Sequence, residues 1–340
     1  MDNQRTAYGV MPDGTPVEKV SLTGKNGLSL SFITYGGIIT ELVYQGKDVV
    51  LGHTCLEDYL RGKGSIGVTV GRYANRIAGG KFELNGTVYD VGCNEAGRGH
   101  LHGGTLGFEK RVWTLGDLCE NSATLHYTAA DGEMGYPGTL NVAVTFTLED
   151  DNTLAIFYRA TTDKDTVLNL TNHAYFNLNG YDGGSTLDTE LQINAESILP
   201  VDDLLIPTGE RMPVEGTPFD FRVAKPIGRD INGDHAQLKI GGGYDHNFCL
   251  GETCEYRHAV SAYSPRSGIR MDCYTDEPGV QLYTGNFLKL PFGKGGAMTQ
   301  YQGFCLETQH FPDSPNHPDF PSTVLKAGDT FESTTRYHFS

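Results

Sequence analysis

Side chains able to move protons or to hold a polyhydroxylated ligand gather in a few short segments of this sequence. They are GRYANRIAGG from Gly71, HLHGG from His100, LTNHAYFNL from Leu170, GGYDHNF from Gly242, PGVQLYTGN from Pro278 and CLETQHFPDSPNHPDFP from Cys305. In the last, Glu307 directly follows Phe304, Cys305 and Leu306. A carboxylate ending an apolar run is either a solvated strand end or a base, and burial would raise its pKa toward neutrality, where a base works best. Two other readings compete for the same run. Prolines at 312, 315, 318 and 321 suggest a polyproline ligand, and His310, Asp313, His317 and Asp319 suggest a metal site.

In LTNHAYFNL the positions alternate: Leu170, Asn172, Ala174, Phe176 and Leu178 fall on one phase, and Thr171, His173, Tyr175 and Asn177 on the other. As a strand, this would put a titratable imidazole, an aromatic plate and an amide on one face, a set suited to a sugar in an open groove. The plain alternative is a polar face turned to water. His100 and His102 have an HxH spacing that could offer two ligands to a metal, but the third and fourth ligands lack a defined spacing. Gly103 and Gly104 after them suit a sharp turn or close backbone approach. Arg72 and Arg76 could be surface charges; Arg76 beside Asn75 is the better pair for vicinal hydroxyls. No Walker sequence, strand-linked GxGxxG, HExxH or GxSxG is present, so nucleotide, zinc-protease and serine-hydrolase chemistries lack their minimum parts.

The elements that must position these groups read as strands. In TLNVAVTFTLED, Leu140, Val142, Val144, Phe146 and Leu148 alternate with polar or small residues, and after Glu149 to Asn152 the period resumes at Leu154, Ile156, Tyr158 and Ala160, a hairpin signature. The same period appears at Leu28, Leu30 and Phe32, at Leu125 and Tyr127, and at Leu187, Thr189, Leu191 and Ile193. Forty-four glycines suit many turns, and the best helix candidate, Leu56 to Leu60, is one or two turns long. With no linker, charge block or repeat along 340 residues, one large antiparallel β-sandwich is expected as a single domain over residues 1–340.

A formal charge of −16 repels nucleic acid and anionic membranes and gives no general attraction for phosphorylated substrates. No apolar run approaches the roughly 18 residues of a membrane helix, and the first residues carry no signal pattern. The seven cysteines show no CxxC, which suits reduced thiols; the expectation is a cytoplasmic protein without nucleic-acid or membrane partners.

Taken in order, GRYANRI, HLHGG, TNHAYFNL, YDHNF, PGVQLYTGNF and CLETQHFPDSPNHPDFP, with GTPFDFR at Gly216 to Arg222, resemble the signature of the aldose 1-epimerase (galactose mutarotase) family. The resemblance implies the family's large antiparallel β-sandwich, a galactose mutarotase-like supersandwich with an open cleft. It implies His173 as general acid and Glu307 as general base, with Asn75, Arg76, His102, Tyr175, Asp245 and Gln281 as the sugar-binding set, no metal and no cofactor. One departure stands out: CNEAGRG precedes HLHGG, placing Glu95 and Arg98 where the family has an Asn/Gly/Pro turn.

Anomer interconversion opens the hemiacetal by removing the C1 hydroxyl proton and protonating the ring oxygen. One acid and one base suffice, without a cofactor. The expected substrates are aldohexoses such as galactose and glucose. A glycoside hydrolase would need two acids across the scissile bond, and a non-catalytic sugar-binding module would need neither His173 nor Glu307.

Overall fold

The structure, a computed structural model, describes residues 4–95 and 99–340. Arg98, half of the departure noted above, lies outside them. The expected hairpin forms as Leu140–Glu149 against Thr153–Thr162, with Val144 opposite Tyr158 and Leu148 opposite Leu154. Every apolar member of the first strand is buried, and its alternate positions are intermediate or exposed. This hairpin supplies the third and fourth strands of a nine-stranded antiparallel sheet whose central strand is the C-terminal one, Thr330–Phe339. A five-stranded sheet over Arg5–Asp48 and a second one built from Met212–Pro213, Ser197–Ile198, Asp245–Cys249, Gly279–Tyr283 and Cys305–Gln309 complete the main layers.

One apolar core joins them. Val20, Leu30 and Phe32 of the N-terminal sheet, Leu125, Val144, Ile156 and Phe339 of the large sheet, and Phe248, Val280, Leu282 and Leu306 of the second small sheet belong to the same buried cluster. The period of two then dictates the rest. With Val280, Leu282 and Leu306 turned inward, Gln281, Tyr283 and Glu307 must face the other side of their sheet. Register fixes their order, because Gln281 pairs directly with Glu307 and Asn247 with Gln281.

The helix expected near Leu56 forms as Leu56–Arg61. Two strand expectations need correction. Leu187 and Thr189 precede the regular strand, which covers only Glu190–Ile193. In LTNHAYFNL the ladder is confined to Thr171–Asn172, with isolated bridges from Phe176 to Val50 and Phe304. The alternation survives without a regular ladder because its backbone N–H groups go to separate segments, His173 to Val68 O, Phe176 to Phe304 O and Asn177 to Val49 O, while side-chain amides tie down loops. Asn169 bonds to Ala74 O and His310 O, and Asn177 to Gln302 O and Gly184 O. Asn177 therefore holds backbone rather than facing a ligand.

Candidate active site

A cleft of about 220 Å³ opens over the outward face of the second small sheet, lined among others by Asn75, Arg76, Glu95, His102, His173, Tyr175, Asp245, Tyr283 and Glu307. Seven of the eight residues singled out in the sequence thus come together. Gln281 is the exception: it is buried and donates from Nε2 to Asp245 Oδ1 at 2.7 Å. It lies on the same sheet face as its strand neighbour Glu307, with Oε1 without a partner among the described residues.

His173 and Glu307 face each other at the bottom. Their closest atoms, Nε2 and Oε1, are 3.6 Å apart, too long for a hydrogen bond, and both side chains are nearly inaccessible. The His173 backbone is pinned by its N–H to Val68 O and its carbonyl to Gly67 N, and its Nδ1 meets Cys305 Sγ at 3.4 Å. Glu307 Oε2 has no protein partner among the described residues, and the same is true of Gln281 Oε1. Unmatched buried acceptors are costly unless something else donates to them. A hydroxyl-bearing ligand in the cleft supplies that donor for Glu307.

Burial pushes the Glu307 carboxyl well above its ordinary range, reinforced by the charge of Asp245 and opposed by Arg76. Burial also pushes His173 down to about 4. Both shifts favour the uncharged forms, a neutral imidazole and a protonated carboxyl. These directions oppose the protonated imidazole and ionised carboxylate from which the expected acid and base start. For groups this close, the two titration steps belong to the pair.

His102 closes the site from a strained position. Its φ is +52°, and Asn75 beside it has φ +61°. The two segments lock together: His102 N–H donates to Asn75 O at 3.0 Å, and Asn75 N–H donates to His102 Nδ1 at 3.2 Å. The next residue must be glycine, because a Cβ at Gly103 would lie 1.9 Å from Gly71 O. Since Nδ1 of His102 accepts, its proton is on Nε2, which makes it a hydrogen-bond donor. Burial and the neighbouring His173 hold the imidazole well below its usual pKa.

His102, His173 and Glu307 bring ligand-type atoms within 4.8 Å of one another. A metal at this point would need the nitrogen of His102 that carries the proton, so the tautomer favours a hydroxyl ligand. The HxH pair itself does not converge. His100 turns away, with Nδ1 near Val91 O and Gly92 O and Nε2 2.7 Å from Tyr136 Oη.

Arg76 lies buried with its guanidinium bidentate on Glu95, at 2.7 and 2.8 Å. Burial alone would lower its pKa, but Glu95, with Asp245 and Glu307 nearby, raises it. Glu95, the described half of the departure in CNEAGRG, is therefore a cleft residue that sequence reasoning passed over as loop variation. Tyr283 was also missed, although it shares the strand phase of Gln281. Arg72, read as a surface charge, is buried and bonds to Pro137 O and Gly138 O. Tyr175 lines the cleft with its ring, its hydroxyl donating to Gly64 O at 2.7 Å. Burial pushes Asp245 up, against the pull of Arg76 and Gln281.

The proline-rich run divides as its first residues suggest. Asp313 accepts the Ala78 N–H at 2.9 Å and donates its own N–H to Arg76 O, so the loop braces the strand that carries Arg76. His317 pairs with Asp313, His310 with Glu277, and Asp319 is exposed, so the four do not form one metal site.

An all-β scaffold with a buried histidine and glutamate facing each other at the base of a small polar cleft has the parts that acid–base chemistry on a small hydroxylated ligand requires. The chain belongs to the aldose 1-epimerase family, whose model matches residues 18–338. It is 44% identical to a mouse galactose mutarotase over 344 aligned positions, covering 99% of this chain and 98% of that protein. An aldose 1-epimerase of Haemophilus influenzae is 38% identical, with 96% and 97% covered. A crystal structure of a galactose 1-epimerase from Lactobacillus acidophilus superposes with a TM-score of 0.88 at 29% identity, covering 99% of this chain and 98% of that one.

Proposed function

We propose that this protein interconverts the α and β anomers of aldohexoses such as galactose and glucose, with Glu307 and His173 as its proton-transfer pair. The facing of Glu307 and His173 at 3.6 Å, with Glu307 Oε2 unpartnered, carries this reading. Glu307 takes the C1 hydroxyl proton while His173 protonates the ring oxygen, and the C1–O5 bond breaks. Rotation about C1–C2 presents the other carbonyl face, and the same two groups close the ring with their roles reversed. Each transfer contributes on the order of 10² to 10⁴ in rate. No cofactor is needed for this balance.

Arg76, held by Glu95, together with Asn75, His102 Nε2–H and Asp245, binds the remaining hydroxyls. Tyr175 supplies an apolar wall, and Gln281 orients Asp245. Residues 1–340 act as one domain, a reading supported by cleft residues drawn from segments between Gly64 and Glu307 around one core. All seven cysteines are free, which supports a cytoplasmic location. No helix among the described residues is long and apolar enough to cross a membrane.

Polarimetry on freshly dissolved α-D-galactose and α-D-glucose tests the activity. Added protein is expected to accelerate the approach to the equilibrium rotation, and an unchanged relaxation overturns the reading. Release of reducing sugar from an aryl galactoside would instead support a hydrolase. Asp245, tied to Gln281 beside Arg76, is not set as that hydrolase's acid.

A further inference from the structure

Beneath the loop that joins Asp245–Cys249 to Arg257–Tyr263, away from the sugar cleft, lies a second line of chemically capable side chains. His310 Nδ1 meets Glu277 Oε2 at 2.6 Å, with both side chains buried, and His310 Nε2 points to Cys254 Sγ at 3.9 Å. Cys254 is exposed. Thiol, imidazole and carboxylate therefore stand in series, with the carboxylate fixing the tautomer and the sulfur open to solvent.

Each member is held. The His310 N–H donates to Asn169 Oδ1 at 3.0 Å, and its carbonyl accepts from Asn169 Nδ2 at 3.1 Å. The Glu277 N–H donates to Thr275 Oγ1 at 3.1 Å. The loop under Cys254 is clipped by one guanidinium: Arg257 donates to the carbonyls of Leu250, Thr253 and Glu255 at 2.8, 2.6 and 2.8 Å. Burial alone would lower the His310 pKa, yet the Glu277 carboxylate and the Cys254 sulfur push it up to about 10. At neutral pH a cation thus faces the sulfur, the setting in which thiols react as thiolates.

We propose that Cys254, His310 and Glu277 form a reactive-thiol site that exchanges with low-molecular-mass disulfides of the glutathione type. The Cys254 sulfur attacks one sulfur of the disulfide; the new S–S bond forms as the incoming one breaks. The leaving thiolate takes up the proton that Cys254 has given up, and the disulfide is the oxidant. Glu307 is unaffected by geometry: it shares the outward phase with Cys305, whereas Leu306 and Thr308 face the core, and His310 continues their phase toward Glu277.

Cys119, also exposed, is an internal control, because its thiol makes no hydrogen bond among the described residues. The test treats the full-length protein with glutathione disulfide at neutral pH and follows mixed-disulfide formation at each cysteine by peptide mass spectrometry. The imidazole held beside the sulfur stabilises charge on it during attack, a gain of about threefold in exchange rate over a thiol without such a neighbour. Cys254 is expected to lead Cys119 by at least that factor. His310→Asn or Glu277→Gln is expected to bring it down to the Cys119 rate, and Cys254→Ser to remove the fast label while leaving mutarotation intact. A wild-type protein in which Cys254 reacts no faster than Cys119 overturns the proposal, and that comparison requires no variant to fold. A Cys254 rate unmoved by either variant overturns it equally.

Discussion

Two buried histidine–glutamate pairs lie three residues apart along one strand end, and they are opposites. His310 and Glu277 meet at 2.6 Å, and the histidine is pushed up to about 10. His173 and Glu307 stand 3.6 Å apart; there the histidine is pushed down to about 4 and the carboxyl is pushed up. The difference is contact. A close pair gains enough from mutual attraction to stay charged in a poorly polarisable interior, whereas a spaced pair does not recover its desolvation cost and is pushed toward its neutral forms. The first is a settled ion pair. The second leaves Glu307 Oε2 without a partner among the described residues, free to meet a ligand.

Breaking the loose pair should have the largest effect on rate. His173→Gln is expected to lower kcat by about 10² to 10⁴, read by polarimetry, with little loss of stability. Adding Glu307→Gln should cost far less than the product of the single effects, because the two act as a unit. Breaking the tight pair should do the reverse. Glu277→Gln removes the charge that keeps buried His310 protonated and is expected to lower unfolding free energy by about 3 kcal/mol in urea titrations, with kcat within about threefold of wild type.

Between these lies the set that holds the sugar. Asp245→Asn removes hydrogen bonds to a charged group worth about 1.5 to 3 kcal/mol, an expected ten- to hundredfold loss in kcat/KM. Glu95 is about one-third exposed, so solvent screens it, and Glu95→Gln is expected to raise KM only about fivefold.

How far this contrast could be read in advance varied with how local its causes are. The hairpin from Leu140 to Thr162 was legible because its apolar period is uninterrupted and one face is buried. Glu307 and His173 were legible as candidates from their setting and from the ordered segments around them. Their spacing was not, because it depends on how Cys305–Gln309 sits against the irregular stretch after Asn172. Nor was the role of Gln281, which rests on the diagonal reach to Asp245 across a strand register. Glu95 reaches Arg76 across 19 residues of chain, and His310 finds Glu277 across 33, distances at which no local pattern survives. The regular strand expected through LTNHAYFNL failed because its backbone pairs in turn with three segments, around Val68, Phe304 and Val49, that are distant in sequence.

The smallest expected effect sharpens the contrast through pH. His173 titrates at about 4 when folded and 6.5 when unfolded, so the unfolded chain binds more protons between those values and stability falls as pH drops through them. His310 is raised from 6.5 to about 10, so its contribution is complete below 6.5 and is lost as pH rises toward 10. Urea midpoints should therefore peak between the two windows, near pH 6.5, and His310→Asn should flatten the alkaline side alone.

The most direct test of the role proposed for the facing pair is the anomerisation rate of α-D-galactose with Glu307→Gln, a change that keeps the shape of the side chain and removes its ability to take a proton. The folded variant is expected to relax the optical rotation about 10² to 10⁴ times more slowly than the native enzyme. A variant that relaxes it at the native rate contradicts the role given to the pair.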